Sequence, residues 1–362
     1  MPAPREDEVR LALECFPIAG NLRDVRRLSR GHIHDTFVSE WDVADGRRQF
    51  IHQRMNQEVF PDLELLMSNI RRVSEHLVRK LGENGTDGFE PLRLIPMRGG
   101  APFAVTASGA WRTFVFIEDT SSFDRCESAD QAFEAARAFG WFQAQLRDLP
   151  AEQLGETLKN FFDSPFRYGQ FRAALARAPE ERKTLAAESI GFAEARAGLV
   201  SVIDDQLKSG AIPTRVIHGD TKLNNILFDN TTGKAKAIVD LDTCMAGYSL
   251  YDFGDLVRFT AATSAEDETD LARVGTDLEL YRALVDGYMS TAGGFLLERE
   301  VELMPFAARL VTFTIGLRFL ADHLAGDVYF HVDRPNQNLD RARVQFGMVR
   351  SMEAHEAEMK VR

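Results

Sequence analysis

Between Arg215 and Phe253 the chain alternates short apolar runs with polar loops in a pattern that few folds accommodate. Val216 and Ile217 lead into a loop carrying His218, Asp220, Lys222, Asn224 and Asn225. Ile226, Leu227 and Phe228 form a second apolar run, and Asn230-Thr231-Thr232-Gly233 supplies turn chemistry. Ala237, Ile238 and Val239 then run into Asp240 and Asp242. The spacing predicts a hairpin that brings Asp220 and Asn225, ahead of it, to the same end as Asp240 behind it. Two carboxylates and an amide presented by loops on apolar strands suit a divalent cation beside a proton acceptor. Asp242, two residues on, shares that face only where the strand continues, and is a second metal candidate. The bland alternative is that these residues fill and cap turns, as Asp and Asn commonly do. The combined spacing favours the catalytic reading.

With 362 residues the chain has material for two lobes. Its 55 acidic against 43 basic residues give a net charge of −12, which argues against nucleic acid as the main partner. A nucleotide remains compatible, because its phosphates need only a local cluster of charge. Cys15, Cys126 and Cys244 are scattered and form no C-x-x-C, so reduced core residues are expected rather than disulfides or a zinc site. The charged start MPAPREDEVR does not read as a secretory signal. Arg309 and Arg318 interrupt the apolar stretch from Pro305 to Ala321, so no membrane span and a cytoplasmic protein are expected.

Taken in order, residues 6–20 read as a short helix, and 25–28, 35–41 and 49–55 as strands. Pro61 and Asp62 start a helix whose stripe is Leu63, Leu66, Ile70, Val73, Leu77 and Leu81, ending at Gly82. Residues 82–102 are rich in glycine and proline and read as loop. Residues 111–118 read as a buried strand that leaves into Asp119-Thr120-Ser121-Ser122. A capping box at Ser128 and Gln131 opens the next helix, with Ala135, Ala138, Phe139, Phe142 and Leu146 as its core face. Residues 163–171 read as an aromatic-rich loop, and helices follow to about 209 and at roughly 254–262, 276–292, 300–325 and 339–360.

The series H-G-D-x-K-x-x-N, an apolar hairpin and V-D-L-D resembles the catalytic loop of the aminoglycoside phosphotransferase and choline kinase superfamily. The resemblance implies an α+β, two-lobed protein-kinase-like fold, with an antiparallel sheet and helix in the small lobe and a mostly helical large lobe. It implies a nucleotide-binding lobe at 1–117 and a catalytic and substrate-binding lobe at 118–362. ATP and Mg²⁺ are the cofactors it brings. Asp220 takes the proton of the attacking hydroxyl, Lys222 steadies the transferring phosphoryl group, and Asn225 and Asp240 hold the metal. The third strand carries no lysine to hold the phosphates; Gln53 stands at its place and Arg54 beside it, and both are candidates for the role. Glu118 and Thr120 fall at the hinge that meets adenine. Asp252-Phe253-Gly254 imitates a kinase metal motif but lies 32 residues after Asp220, so Asp252 is expected to cap a helix or brace the catalytic loop.

Further blocks extend the likeness: G-H-I-x-x-T-F, Q-x-M-N-x-x-V-F-P-D, W-R-x-F-x-F-I-E, H-x-D-T-K-L-N-N-I-L, D-F-G-D-x-V-R-F and L-R-F-L-A-D-x-L-x-G-D-V-Y-F, in that order. Together they resemble the bacterial N-acetylhexosamine 1-kinases, over nearly the whole chain. This implies a sugar acceptor contacted by His32, His34, Asn224, Arg318 and Tyr329. Three alternatives stay open: another hydroxyl acceptor (choline, homoserine, an aminoglycoside or an unacetylated sugar), a nucleotide-binding pseudokinase, and a metal hydrolase.

Overall fold

The computed structural model describes residues 4–28, 33–82, 86 and 88–361. In chain order its elements are α1 (Glu6–Leu13), β1 (Asn21–Leu28), β2 (Asp35–Val43), β3 (Gly46–Arg54), α2 (Leu63–Leu81), β4 (Leu94–Ile95), β5 (Ala104–Thr106), β6 (Gly109–Val115) and β7 (Thr120–Ser121). There follow α3 (Ala129–Leu146), α4 (Ser164–Arg177), α5 (Glu180–Leu185), α6 (Ala187–Glu194), α7 (Val202–Lys208), β8 (Arg215–Ile217), β9 (Ile226–Asp229) and β10 (Ala235–Ile238). The chain ends with β11 (Met245–Gly247), α8 (Ser249–Thr260), α9 (Leu278–Ala292), α10 (Glu298–Ala325) and α11 (Gln337–Ala354). The antiparallel sheet precedes a helical C-terminal part, as the expected fold class requires.

Two compact units emerge. The first comprises Met1–Ser121, Asp148–Leu158 and Leu227–Met245; the second comprises Ser122–Arg147, Lys159–Ile226 and Ala246–Arg362. The expected boundary at 117/118 falls close to Ser121, but two later segments join the first unit. Asn69 on α2 shows how they are held: its amide donates to the carbonyls of Gly155 (2.7 Å) and Cys244 (3.0 Å) and accepts from the Gly155 N–H (3.0 Å).

In the first unit the strands run in the order β1-β2-β3-β6-β4, with β5 beside β6, and these neighbours pair antiparallel. β10, β9 and β7 make a second, three-stranded sheet. The helix α1 stops at Leu13 rather than near residue 20, because Pro17 disfavours helix in the residue before it. Val9, Leu13 and Phe16 then pack with Phe37 and Trp111 of the sheet. The predicted α2 stripe is buried throughout, Asp62 caps it by accepting from Leu65 N–H at 2.9 Å, and Gly82 ends it at φ 75°.

His52 on β3 is fully buried, with Ser39 Oγ 2.6 Å from Nε2 and Thr113 Oγ1 2.9 Å from Nδ1. Burial lowers its pKa from 6.5 to about 3. As pH falls below its ordinary value the unfolded chain binds the proton first, so stability is lost between about pH 6.5 and about pH 3. Urea melts are expected to show stability falling by up to about 1.4 kcal/mol per pH unit in that window, a slope that His52→Gln flattens. Equal slopes in both proteins would contradict this reading.

In the second unit, α3 and α9 pack closely enough that a Cβ on Gly287 would lie 2.2 Å from the Phe133 carbonyl oxygen. α10 runs through the middle, contributing Phe313, Leu317 and Leu320 to a core shared with Phe171, Phe192 and Phe346. By length and composition α10 could cross a membrane despite its three arginines, but 78% of its most apolar stretch is buried within the protein. Residues 163–171 form no loop: Asp163 accepts from Phe166 N–H at 2.7 Å and caps α4, with Pro165 in its first turn. The capping box at Ser128 is half made. Ser128 accepts from Gln131 N–H, while Gln131 Oε1 accepts from Glu127 N–H instead of closing on Ser128.

Candidate active site

Val216 and Ile217 bury the end of β8, and the loop that follows takes its shape from α8. Asp252 accepts from the N–H groups of His218 and Gly219, each at 2.8 Å, and from Gln143 Nε2 at 2.6 Å. It therefore braces the loop from within α8. The expected cap role does not arise, because the helix begins three residues before it, at Ser249. Thr221 N–H donates to Asp255 Oδ2 (3.1 Å) and Thr221 Oγ1 to the Asp252 carbonyl (2.7 Å). Gly219 sits at φ 82°, a left-handed backbone that explains glycine between His218 and Asp220. Phe139 and Phe142 meet the His218 ring edge-on at 5.3 and 5.6 Å.

Burial raises the Asp252 carboxyl against the pull of His218 and the two backbone N–H groups. Burial also raises Asp255; the Arg258 charge opposes it and the Asp220 charge adds to it. Asp255 and Asp220 are thus electrostatic neighbours.

On Asp220 the hydrogen bonds fall on one oxygen. Lys222 Nζ lies 2.8 Å and Asn225 Nδ2 3.0 Å from Oδ2. Oδ1 takes no hydrogen bond from the described residues, which suits it to a hydroxyl. Asn225 Nδ2 also donates to the Asp220 carbonyl at 2.9 Å, so its Oδ1, the atom a hard cation binds, is the part of the amide left over. Asn224 Oδ1 is buried without a hydrogen-bond partner. Such an orphan acceptor is costly unless a ligand donates to it.

In the first unit Asp240 follows β10 in a left-handed conformation, φ 64° and ψ 65°, uncommon for a residue with a side chain. Asp242 is buried and fully engaged. Arg112 on β6 donates both Nη groups to its two oxygens, Nη2 at 3.0 Å, and His34 Nε2 lies 2.5 Å from Oδ2. Burial alone would raise the Asp242 carboxyl; the Arg112 charge and the His34 bond hold it well below the ordinary carboxylate range. Asp242 is therefore an anchor, and its suggested part in metal binding is corrected.

His34 accepts from Asn56 N–H at Nδ1 (3.0 Å), which places its ring proton on Nε2, facing Asp242. Both nitrogens expected at an acceptor are engaged inside the unit. Gln53 Oε1 accepts from Arg112 Nε at 2.9 Å and Gln53 Nε2 donates to Thr36 Oγ1 at 3.2 Å. Arg54 is buried against Asp35, with Nε–Oδ2 3.0 Å and Nη2–Oδ2 2.5 Å. A phosphate-holding role would require Gln53 or Arg54 to give up these bonds.

At the expected hinge, the Glu118 carbonyl accepts from Lys236 Nζ (3.1 Å) and Thr120 Oγ1 donates to the Ile117 carbonyl (2.9 Å). His32 lies outside the described residues.

Arg318 and Tyr329 stand together in the second unit, with the Arg318 guanidinium carbon 5.9 Å from the Tyr329 ring centroid. Asp322, grouped with them in sequence, holds the loop that carries Tyr329. Its carboxylate accepts from the N–H groups of Val328 (3.0 Å), Tyr329 (2.9 Å) and Phe330 (2.9 Å) and from Asn338 Nδ2 (2.9 Å). Tyr329 is thereby presented 71% exposed. Asp322→Ala is expected to raise KM for the acceptor several-fold while nucleotide affinity holds, as steady-state kinetics with each substrate varied would show; unchanged KM would contradict it.

Arg112 has no motif around it, but a charge inside the apolar strand Trp111–Val115 demands a buried partner.

A sequence model described as "Phosphotransferase enzyme family" matches residues 24–284. Among solved structures, the chain is similar to a microcompartment-associated aminopropanol kinase (17% identity, 98% of each chain covered, TM-score 0.60). It is also similar to a spectinomycin phosphotransferase in complex with ADP and spectinomycin (11% identity, 100% of each chain, TM-score 0.58). A third is the choline kinase of Cryptosporidium parvum Iowa II (12% identity, 93% of this chain and 91% of that one, TM-score 0.56). At these identities the likeness is one of fold.

Proposed function

The chain belongs to the phosphotransferase enzyme family, and on that premise we propose that it transfers the γ-phosphate of ATP to a sugar hydroxyl, the anomeric 1-hydroxyl of an N-acetylhexosamine. The observation that carries the reading is the geometry at Asp220. Lys222 and Asn225 hold one carboxylate oxygen and leave Oδ1 for the proton of an attacking hydroxyl. As the hydroxyl oxygen bonds to the γ-phosphorus, the bond to the ADP oxygen breaks and the proton passes to Asp220. Lys222, beside the same carboxylate, supports the transferring phosphoryl group. The ADP complex of the spectinomycin phosphotransferase neighbour supports a nucleotide as the donor.

Asn225 Oδ1 and the Asp240 carboxylate are the proposed Mg²⁺ ligands. Among the described residues no three His, Cys, Asp or Glu side chains are grouped so as to hold a metal ion by themselves. An Asn, one carboxylate and substrate phosphates suit a hard cation that keeps much of its water. When bound, Mg²⁺ supplies charge neutralisation on the phosphates. The acceptor is read from sequence motifs and from Arg318, Tyr329 and Asn224, whose polar and aromatic groups suit a polyhydroxylated ligand. A cytoplasmic setting goes with that substrate.

The test is ADP release with ATP and Mg²⁺ across N-acetylglucosamine, N-acetylgalactosamine, unacetylated sugars, choline, homoserine and an aminoglycoside. Release with the N-acetylated sugars is the expected result. Activity confined to another acceptor would overturn the sugar assignment. Tight nucleotide binding without release on any acceptor would favour a pseudokinase.

A further inference from the structure

Most arginines that the second unit takes out of solvent face a carboxylate. Arg215 meets Glu300 at 2.7 Å, Arg258 meets Asp255 at 3.0 Å, and Arg196 meets Glu353 at 2.7 Å. Arg318 and Arg167 do not. Arg318, half-buried on α10, has its guanidinium carbon 5.2 Å from the Phe161 ring centroid, 5.9 Å from Tyr329 and 5.4 Å from Phe330. Neither it nor Arg167 makes an ion pair with a carboxylate among the described residues. Arg167 on α4 donates Nη1 to Gln170 Oε1 at 2.8 Å, while its Nε is buried with no partner. The nearby Asp163 carboxylate is engaged as the α4 cap.

The two guanidinium groups also act on each other. Burial lowers the Arg167 pKa, and the Arg318 charge is the next largest cause in the same direction. Two like charges partly withdrawn from water, collared by aromatic rings and ion-paired to no carboxylate among the described residues, are unfavourable on their own. A planar oxyanion between them would relieve the repulsion and give Arg167 Nε an acceptor, since guanidinium groups bind carboxylate and phosphate oxygens through paired donors.

We propose that the acceptor of this kinase bears an anionic group besides its reacting hydroxyl, and that Arg318 and Arg167 bind that group among Phe161, Tyr329 and Phe330. Within the sugar-kinase reading, on which this rests, the substrate is an acidic N-acetylhexosamine, one that carries a carboxylate, phosphate or sulfate. The subsite is tied to the catalytic loop through α8. Phe161, beside the Arg318 guanidinium, also meets the Tyr251 ring of α8 at 6.4 Å, and Asp255 of the same helix holds the Thr221 N–H beside Asp220. The Asp163 carboxylate, whose charge acts on Arg167, is engaged as the α4 cap rather than offered to a cationic amine acceptor.

The experiment compares kcat/KM for N-acetylglucosamine, its 6-phosphate, its 6-sulfate and glucuronate in the wild type and in Arg318→Gln, Arg318→Lys and Arg167→Gln. Binding of the same four sugars is measured calorimetrically in the presence of a non-transferable ATP analogue. An anionic sugar is expected to be preferred, with the anionic-to-neutral ratio falling about 10- to 100-fold in Arg318→Gln, through KM, as loss of a charge-assisted hydrogen bond implies. Arg318→Lys is expected to retain part of the preference. The phosphate and uronate arms distinguish which anion the fork fits. Preference for the neutral sugar, with the ratio unmoved in the variants, would overturn the inference, as would failure of every anionic sugar to bind. Binding of an anionic sugar without phosphoryl transfer would instead contradict the kinase reading and leave the subsite standing.

Discussion

Asp220→Asn is expected to lower turnover by about 10²- to 10⁴-fold, the usual contribution of a general base. The substitution keeps the size of the side chain and its place between Lys222 and Asn225, while removing the charge that receives the hydroxyl proton. The loop itself is held by Asp252 and Asp255 through the backbone of His218, Gly219 and Thr221, so the fold and the nucleotide affinity should survive. The check pairs steady-state kinetics with calorimetric nucleotide binding. Retained turnover would remove Asp220 from the base role. Lost nucleotide binding would mean that its charge matters to the ground state and that the kinetic effect is no measure of proton transfer.

Arg112→Met is expected to destabilise the first unit by about 3–5 kcal/mol, the cost of leaving one member of a buried ion pair without its partner. Arg112 and Asp242 are almost completely buried, at 2% and 4% side-chain exposure. Arg112 also holds Gln53, and His34 bonds the same carboxylate, so one deletion leaves several groups short of partners. Because Asp242 lies two residues after Asp240, the loop carrying the proposed metal ligand loses its anchor as well. Chemical denaturation reads the stability, and the Mg²⁺ dependence of nucleotide binding reads the loop. Adding Asp242→Asn to Arg112→Met should recover part of the stability, since the uncompensated charge is removed. Additive losses in the double variant would show that the pair is not the source of the effect.

The fold class was legible because its signals are local. The α2 stripe, the Asn230–Gly233 turn and the apolar face of α3 each specify an element without reference to distant chain. What failed to read was set by tertiary partners. Residues 163–171 carry a good helix start in Asp163, Ser164 and Pro165, but three aromatics among nine residues suggested a loop, and only their packing shows the helix. The site divides in the same way. Asp220 and Asn225 meet as their spacing in one contiguous stretch implies. The engagement of Asp242, His34, Gln53 and Arg54 depends on Arg112, Asn56, Thr36 and Asp35, which sequence cannot pair with them. Side chains expected to face ligand proved to be fastened to one another. The unpaired Arg167 and Arg318 are the converse: a missing partner is invisible until the neighbours are placed.

The most direct measurement is a ³¹P NMR time course with ATP, Mg²⁺, wild-type protein and an N-acetylhexosamine, its acidic derivatives included. The γ-phosphate resonance is expected to fall as ADP and a sugar phosphomonoester coupled to the anomeric proton rise one for one. A γ-phosphate signal that persists with every acceptor, or that converts only to inorganic phosphate, would contradict transfer to a sugar hydroxyl.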